Sequence, residues 1–193
     1  MFRKYPPVEH ILFIGKPGSY KDVSAVRYCF KGFKNDKKLV FSNLHLFFSC
    51  KYIEDLVGFK DIRGDNWNPS MVYIHDIGAL FHSREFWKRE GNSVDARKLF
   101  VNSYRKRGLQ IIGTLHREGE IDIEIRRIVD YFVYPVIKNV GDPNNMEDDI
   151  VVLYWYNTPI ENDDGSRPLK EKPDFKTFYM NPERYAVLYN TLE

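Results

Sequence analysis

The residues with the clearest chemical potential are Gly15, Lys21 and Asp22, which lie in the stretch Ile-Leu-Phe-Ile-Gly-Lys-Pro-Gly-Ser-Tyr-Lys-Asp at 11–22. Apolar residues typical of a buried strand lead into a turn rich in Gly, Pro and Ser, and a helical pattern starts near Lys21. Such a loop binds phosphate when backbone N–H groups and a lysine surround the phosphate oxygens. The sequence therefore predicts a nucleotide-binding loop made of Gly15, Lys16, Pro17, Gly18, Ser19, Tyr20, Lys21 and Asp22.

Two residues of this loop depart from the usual pattern, which is G-x-x-x-x-G-K followed by Ser or Thr. Tyr20 stands where the second glycine belongs, and Asp22 stands where the hydroxyl belongs. A tyrosine at the glycine position predicts backbone strain or crowding of the ligand. Asp22 offers Mg²⁺ a hard carboxylate ligand but also places negative charge beside phosphate oxygens. A plain turn between strand and helix stays an alternative.

The strand Met71–His75 ends beside Asp76, a second candidate metal ligand. In nucleotide-binding folds an Asp at such a strand end holds Mg²⁺, and a neighbouring Glu activates the attacking water. If Asp76 is the metal ligand, Ile77 replaces that Glu; if Asp76 takes the Glu position, His75 replaces the metal Asp. One acidic residue is missing in either register. An Asp that only caps the following turn is the alternative without function.

Two further segments supply candidates for phosphate chemistry. Thr114 and His116 follow the strand Leu109–Gly113, where a polar side chain could sense the γ-phosphate or position water; His116 could equally be a surface histidine. Arg126 or Arg127 could act across a subunit interface as an arginine finger. The alternative for both arginines is a solvated helix face with i,i+4 pairing.

Residues 84–107 are locally basic, with interleaved aromatic side chains. Such a stripe could follow a nucleic-acid backbone, although a solvated helix face is the simpler interpretation of each residue. The whole chain has a net charge of only +2, so overall charge does not indicate nucleic-acid binding. Specific DNA-binding residues are therefore not predicted.

The bulk composition predicts one intracellular domain spanning residues 1–193. A hydrophobic share of 43% excludes a disordered chain, and 193 residues suit a single full core. The two cysteines, Cys29 and Cys50, indicate a reducing compartment without a disulfide framework or a zinc site. No stretch approaches the ~18 apolar residues that would span a bilayer. We therefore expect a cytoplasmic protein.

Short apolar runs alternate with helical patterns, which predicts an α/β fold with a largely parallel sheet covered on both faces. The predicted strands are Ile11–Ile14, Leu39–Ser42, Met71–His75, Leu109–Gly113, Tyr131–Val136, Ile150–Tyr156 and Phe175–Met180. The predicted helices are Lys21–Phe33, Tyr52–Val57, Ser93–Arg107, Ile123–Val129 and Tyr185–Leu192. The polar segment Asn157–Pro173 is predicted to be a loop or a protruding hairpin.

Taken together, these motifs resemble the FtsK–HerA superfamily of P-loop ATPases, and within it the Zot-like and DNA-packaging ATPase-like proteins of filamentous phages and archaeal viruses. The resemblance covers nearly the whole chain. Its anchors are Gly15–Asp22, Asp76–Arg84, Arg105–Gly108, Gly113–Arg117, Ile121–Arg126, Tyr134–Pro135 and Tyr189–Glu193.

The resemblance implies a RecA-like three-layer sandwich that binds ATP with Mg²⁺, assembles as a ring, often a hexamer, and moves double-stranded DNA. It also implies viral capsid or membrane-assembly proteins as partners, and the host-cell cytoplasm as the location. A non-hydrolysing structural or DNA-binding descendant of the same fold is the main alternative, and a small-molecule kinase is a weaker one.

The resemblance also assigns roles to residues. It implies that Lys21 binds phosphate, that Asp22 and Asp76 hold Mg²⁺, and that His116 reads the γ-phosphate. The charge-stabilising arginines would be Arg84 and Arg126. The family usually has Gly at position 20, Ser or Thr at 22, an Asp-Glu pair at 75–76 and Gln at 116. The spacing from Asp76 to Arg84 favours the register in which Asp76 takes the Glu position.

Overall fold

The computed structural model describes residues 9–53, 69–80, 108–121, 123–139, 149–157 and 172–189. Within these ranges an eight-stranded sheet forms the centre of the protein. Its strands are β1 (Ile11–Ile14), β2 (Val40–Ser42), β3 (Lys51–Tyr52), β4 (Ser70–Ile74), β5 (Leu109–Leu115), β6 (Tyr131–Asn139), β7 (Asp149–Tyr156) and β8 (Phe175–Met180). The described helices are α1 (Lys21–Asp36), α2 (Ile77–Leu80), α3 (Ile123–Arg126) and α4 (Glu183–Ala186), and Glu118–Glu120 form a 3₁₀ turn.

The strand order across the sheet is β3-β2-β4-β5-β1-β6-β7-β8. Every pair from β3 to β6 in this order is parallel, whereas β7 and β8 are added antiparallel. Because β1, β4 and β5 are parallel neighbours, their carboxyl ends lie at one edge of the sheet. Ligands of open α/β sheets bind at this kind of edge.

The core lies on both faces of the sheet. Helix α1 packs Val26 and Cys29 against one face, where Phe13 and Tyr73 are fully buried. On the other face, α2 contributes Ile77 to a second buried cluster, which α3 also joins. Full burial of such apolar side chains contributes about 1.5–3 kcal/mol each. The predicted α/β three-layer arrangement is therefore confirmed.

Each of the predicted strands is observed, with ends that differ by up to three residues. The helix predicted to start at Tyr52 is wrong at that residue, because Tyr52 belongs to β3 and pairs with Ser42. The two residues of β3 are both exposed, so no apolar pattern in the sequence predicts this strand. Residues 54–57 of that prediction lie outside the described ranges.

The helix predicted from Lys21 is confirmed and extends to Asp36. The closing helix begins earlier than predicted, at Glu183, and ends at Ala186, because Pro182 is compatible with the start of a helix. Strands β7 and β8, which flank the polar segment, are antiparallel neighbours, as a hairpin requires. The helix predicted over 93–107, the basic stretch 84–107 and residues 158–171 lie outside the described ranges. No helix in the described residues is long and apolar enough to cross a membrane.

Candidate nucleotide-binding site

The loop after β1 is folded tightly back on Gly15. The Gly15 N–H donates to the Leu115 carbonyl at 3.1 Å, and the Ser19 N–H donates to the Lys16 carbonyl at 3.1 Å. A Cβ atom added at Gly15 would lie 2.2 Å from the Ser19 Oγ. Gly15 is therefore required because the returning loop occupies the space that any side chain would need.

Tyr20 adopts the left-handed conformation, with φ of 60° and ψ of 21°. This conformation costs a residue with a Cβ about 1–2 kcal/mol, and glycine avoids that cost. The Tyr20 ring packs against the core cluster beneath α1, and its carbonyl accepts hydrogen bonds from the Ser24 N–H and hydroxyl. The loop thus keeps a glycine-like backbone while carrying a tyrosine, and the ring is packed beside α1.

The interior of the loop offers an unused hydrogen-bond donor. The Ser19 Oγ is buried and has no hydrogen-bond partner among the described residues. It lies two residues before α1, a helix of 16 residues whose first N–H groups carry partial positive charge. An orphaned hydroxyl, a close glycine approach and a helix N-terminus together fit a phosphate group.

Lys21 and Asp22 begin α1 and form an ion pair with each other. The Lys21 Nζ lies 3.0 Å from the Asp22 Oδ2, and the lysine is only 6% exposed. The other carboxylate oxygen, Oδ1, lies 3.1 Å from the His75 Nδ1. Burial raises the pKa of Asp22, but the His75 hydrogen bond and the Lys21 charge outweigh it and lower that pKa to about 2. Asp22 is therefore an ionised carboxylate with a nitrogen partner on each oxygen.

The end of β4 directs two neighbouring side chains to different places. Asn43 holds the His75 backbone, accepting its N–H at 2.7 Å and donating to its carbonyl at 3.1 Å. Asp76 then turns with φ of 48°, and its N–H donates to the Thr114 Oγ1 at 3.1 Å. The His75 ring faces Asp22. The Asp76 carboxylate lies near Gly78, and its Oδ1 would be 3.8 Å from a Cβ atom placed on that glycine. At this strand end, His75 therefore contacts Asp22, and both registers of Asp76 stay predictions.

The end of β5 brings His116 to the loop. The His116 Nδ1 lies 3.4 Å from the Gly15 carbonyl, and Thr114 beneath it is fully buried. The Glu120 carboxylate accepts the N–H groups of His116 and Arg117 at 3.2 and 3.3 Å. The same Glu120 oxygen also lies close to Gly78, in the turn that follows Asp76. A Cβ atom placed on Gly78 would be 3.3 Å from it. His116 is thus held beside the candidate phosphate position.

Of the predicted charge-stabilising arginines, the structure describes Arg126 and its neighbour Arg127. Arg126 ends α3 and is only 9% exposed within its own chain, whereas its neighbour Arg127 is exposed. A buried side chain has to leave its contacts before it can reach a neighbouring subunit. The role of Arg126 as an arginine finger therefore stays a prediction, and Arg84 lies outside the described residues.

The donor atoms at this edge fit a phosphate group better than they fit Mg²⁺. Mg²⁺ prefers oxygen ligands, yet the β4 position that faces Asp22 supplies an imidazole nitrogen. Within the described part of the chain, no three His, Cys, Asp or Glu side chains are grouped to hold a metal ion. The predicted Mg²⁺ site at Asp22 and Asp76 therefore stays a prediction, and only the carboxylates would be its natural ligands.

Sequence reasoning missed Asn43 and Glu120, which hold the backbones of His75 and His116. Asn43 follows β2 directly, so the rule that loops after parallel strands meet at one edge could have identified it. Glu120 follows β5 by five residues, and no local pattern distinguishes it from a surface glutamate.

Solved structures with a similar fold include the N-terminal domain of zonular occludens toxin from Neisseria meningitidis. Its TM-score is 0.59 at 17% identity, covering 95% of this chain and all of that domain. The DNA-packaging ATPase from Sulfolobus turreted icosahedral virus has a TM-score of 0.52 at 12% identity, covering 77% of this chain and 92% of that one. The genome-packaging NTPase from Sulfolobus turreted icosahedral virus 2, in complex with ATP-γS, has a TM-score of 0.50 at 10% identity, covering 86% and 98%.

At these identities the similarity shows the fold alone. The chain has the RecA-like P-loop fold of the zonular occludens toxin domain and of viral packaging ATPases, so the predicted resemblance is confirmed at the level of fold. No protein-family model matches the sequence, and no curated protein sequence matches it significantly.

Proposed function

We propose that this chain is a P-loop ATPase of a virus or mobile element that couples ATP binding and hydrolysis to DNA packaging or translocation. The observation that carries the proposal is the loop between Gly15 and Lys21. It combines a left-handed residue before α1, a buried lysine and the orphaned Ser19 hydroxyl at the carboxyl end of β1. These features suit the phosphates of a nucleotide.

The proposed binding step begins with Lys21. A triphosphate attracts the lysine Nζ away from Asp22, which lies 3.0 Å away, because phosphate oxygens carry more negative charge. Ser19 and the N–H groups of the loop donate to the phosphates. His75 remains as the partner of the Asp22 carboxylate, so that this charge is not left alone when the lysine moves.

For the hydrolysis step we assign roles to the residues at the neighbouring strand ends. His116, beside the Gly15 carbonyl, contacts the γ-phosphate. Arg126 of a neighbouring subunit stabilises the charge on the transferred phosphoryl group in a ring-shaped oligomer. A divalent cation belongs to this proposal, and Mg²⁺ at Asp22 and Asp76 is the ion that the sequence predicts.

The similar structures support this assignment. Two of them are named as packaging enzymes of viral genomes, and one was solved with ATP-γS. By analogy we propose double-stranded DNA as the partner, a homo-oligomeric ring as the assembly, and viral capsid or membrane-assembly proteins as further partners. The host-cell cytoplasm is the proposed location.

A non-hydrolysing structural or DNA-binding descendant is the second candidate. The observation that favours it is the ion pair between Lys21 and Asp22, because it holds the phosphate-binding lysine at a carboxylate. Turnover distinguishes the two candidates, since both allow the fold and only the first requires hydrolysis.

The test measures ATP affinity by calorimetry and phosphate release with and without double-stranded DNA, each with Mg²⁺ and with Mn²⁺. Lys21→Ala is expected to weaken ATP binding at least ~10-fold, because a charge-assisted contact to phosphate is lost. Lys31→Ala is the matched control, an exposed lysine about 15 Å further along the same helix. Equal affinity in the wild type and Lys21→Ala would refute nucleotide binding by this loop. ATP binding without turnover under any condition would establish the second candidate.

A further inference from the structure

The 22 residues at 31–52, from the last turns of α1 to β3, concentrate positive charge and aromatic rings. The lysines are Lys31, Lys34, Lys37, Lys38 and Lys51, and the Phe and Tyr residues are Phe33, Phe41, Phe47, Phe48 and Tyr52. Asp36 is the only acidic residue of the stretch, so its net charge is +4, whereas the whole chain has a net charge of +2. The rest of the chain therefore has a net charge of −2, and the proposed function uses none of these lysines.

Three rings of this stretch are exposed on a backbone that is held in place. Phe47 is 69% exposed and Tyr52 is 48% exposed. The exposed His45 ring stacks on the Tyr52 ring, with the ring centroids 4.1 Å apart and the planes 6° from parallel. The Phe47 N–H donates to the Leu188 carbonyl at 2.7 Å. Exposed rings on a held backbone form a preorganised contact surface, because little conformational freedom is lost when a partner binds.

Exposed lysines lie beside these rings. Phe48 contacts Phe30 of α1 with ring centroids 5.4 Å apart, and the Lys34 Nζ lies 6.0 Å from the Phe30 ring centroid. These contacts place Lys34 beside the segment that follows β2. Lys51 directly precedes Tyr52 in the edge strand β3, and both side chains are exposed. Rings and amines therefore occur together along this edge of the protein.

We propose that Lys34, His45, Phe47, Lys51 and Tyr52 form a binding surface for single-stranded nucleic acid, which we call the aromatic–basic surface. Its rings stack on unpaired bases, and its lysines contact the phosphates between those bases. The inference goes beyond the proposed function, because it assigns a nucleic-acid contact to residues outside the nucleotide loop and requires neither ATP nor hydrolysis.

The pairing of rings with amines favours nucleic acid whose bases are accessible. Each base offers a flat face to an exposed ring, and such stacking contributes to affinity with little dependence on sequence. Lysines that contact phosphates release the counterions of the strand, which adds affinity at low salt. In a duplex the bases already stack on each other, so the exposed rings contribute little. The lysines alone would suit either form, and the rings therefore favour the single strand.

The aromatic–basic surface lies beside the candidate nucleotide site without including the loop after β1. Strand β3 is outermost in the sheet, and only β2 separates it from β4. The end of β4 carries His75, whose N–H donates to the Asn43 Oδ1 at 2.7 Å. Asn43 lies two residues before His45. A bound strand is thus connected to the candidate site through Asn43, and the loop stays free for phosphates.

The test measures the fluorescence anisotropy of a labelled oligo-dT of ~12 nucleotides with the full chain and no nucleotide. An abasic strand of the same length carries the same phosphates without bases, and the matching duplex carries bases that are already stacked. We expect oligo-dT to bind at least ~5-fold more tightly than the abasic strand, because each stacked base contributes about that factor or more. We also expect oligo-dT to bind more tightly than the duplex.

Substitution of the rings tests the location of the surface. Phe47→Ala and Tyr52→Ala are each expected to weaken oligo-dT binding at least ~5-fold and to leave binding of the abasic strand unchanged. Phe178→Ala is the matched control, because Phe178 is 71% exposed in β8 at the opposite edge of the sheet. Thermal unfolding checks the fold, and Tyr52→Leu replaces Tyr52→Ala if that variant does not fold.

Substitution of a lysine tests the phosphate contacts. Lys34→Ala is expected to weaken oligo-dT and the abasic strand alike, and to reduce the slope of log affinity against log salt concentration by about 0.7. Lys176→Ala, an exposed lysine in β8, is the matched control and should leave the slope unchanged.

Each contrary outcome overturns a stated part of the inference. Equal affinity for oligo-dT and the abasic strand overturns base stacking, and tighter binding of the duplex overturns the preference for single strands. Wild-type affinity in both Phe47→Ala and the Tyr52 variant overturns the location. Absence of binding to every strand overturns the whole inference. Failure of ATP binding would refute the proposed function alone, because the oligonucleotide assay contains no ATP.

Discussion

The parallel part of the sheet and its antiparallel edge differ in what their side chains do. Every residue of β1, β2, β4 and β5 is buried, and the candidate site lies where β1, β4 and β5 end. Strand β7 alternates between buried and half-buried residues, and only Tyr179 is buried in β8. The strands that are covered on both faces carry the candidate chemistry, and the half-covered strands carry none of the described site residues.

The antiparallel edge nevertheless contacts helix α1, whose first residues belong to the candidate site. The Tyr179 hydroxyl lies 2.9 Å from the Ser24 Oγ, one turn into α1. The Arg27 guanidinium lies over the Tyr179 ring at 4.3 Å and over the Tyr185 ring at 5.3 Å. Contacts of this kind are worth about 0.5–1.5 kcal/mol each. One part of the sheet therefore presents the candidate ligand-binding groups, and the other part restrains the helix that begins beside them.

The largest expected change in unfolding free energy is in the buried, parallel part of the sheet. Phe13→Ala removes a fully buried ring next to Tyr28 and Trp155 and should lower the free energy of unfolding by about 3–5 kcal/mol. Urea unfolding measures this loss, and Phe13→Leu should lose less because it leaves a smaller cavity. A loss below about 1 kcal/mol would show that the buried strands are not close-packed.

The second effect concerns charge at the candidate site. The pKa of Asp22, about 2, lies below its ordinary value of 3.8, so its ionised form stabilises the folded state. At neutral pH the wild type should exceed Asp22→Asn by about 2 kcal/mol in unfolding free energy. This difference should be constant above about pH 5 and should shrink as the pH falls from about 4 towards 2. Urea unfolding at several pH values measures it, and a difference that grows on acidification would contradict the assigned ion pair.

The third effect tests the link between the two parts. Tyr179→Phe removes the hydroxyl that meets Ser24 and should cost about 1 kcal/mol of unfolding free energy. Thermal unfolding measures the loss. Tyr52→Phe, at the opposite edge of the sheet and 48% exposed, is the control and should change stability by less than about 0.5 kcal/mol. Equal losses in the two variants would mean that the Ser24 contact contributes nothing.

The smallest expected change in unfolding free energy is at the exposed edge formed by β8. Phe178 is 71% exposed, so Phe178→Ala should change the unfolding free energy by no more than about 0.5 kcal/mol. Thermal unfolding at two protein concentrations measures this variant beside Phe13→Ala. A large loss, comparable to that of Phe13→Ala, would mean that Phe178 is buried in solution by an interaction between chains.

Much of the fold could be predicted from the sequence because the buried strands are continuous apolar runs. The bounds of β1 and β8 are as predicted, and the loop was identified from Gly15 and Lys21. Strand β3 was missed because Lys51 and Tyr52 are exposed and carry no apolar pattern. The antiparallel direction of β7 and β8 depends on how the chain turns between strands, which periodicity does not report.

The candidate site was harder to predict because its contacts join distant residues. Asp22 and His75 are separated by 53 positions, and only the parallel pairing of β4 with β5 and of β5 with β1 brings them together. Sequence reasoning treated Tyr20, Asp22 and His75 as separate losses from a motif. The structure shows that Asp22 and His75 contact each other, which no single-position comparison can reveal.

Ser24 connects the loop after β1 to the antiparallel edge of the sheet. Its hydroxyl donates to the carbonyl of Tyr20 at 2.7 Å and also lies 2.9 Å from the hydroxyl of Tyr179, which is 155 positions later in the chain. A rearrangement of the loop that rotates the Tyr20 peptide must therefore either break this junction or pull β8 with it. The conformation of the loop after β1 is thus linked to strand β8 through one hydroxyl group.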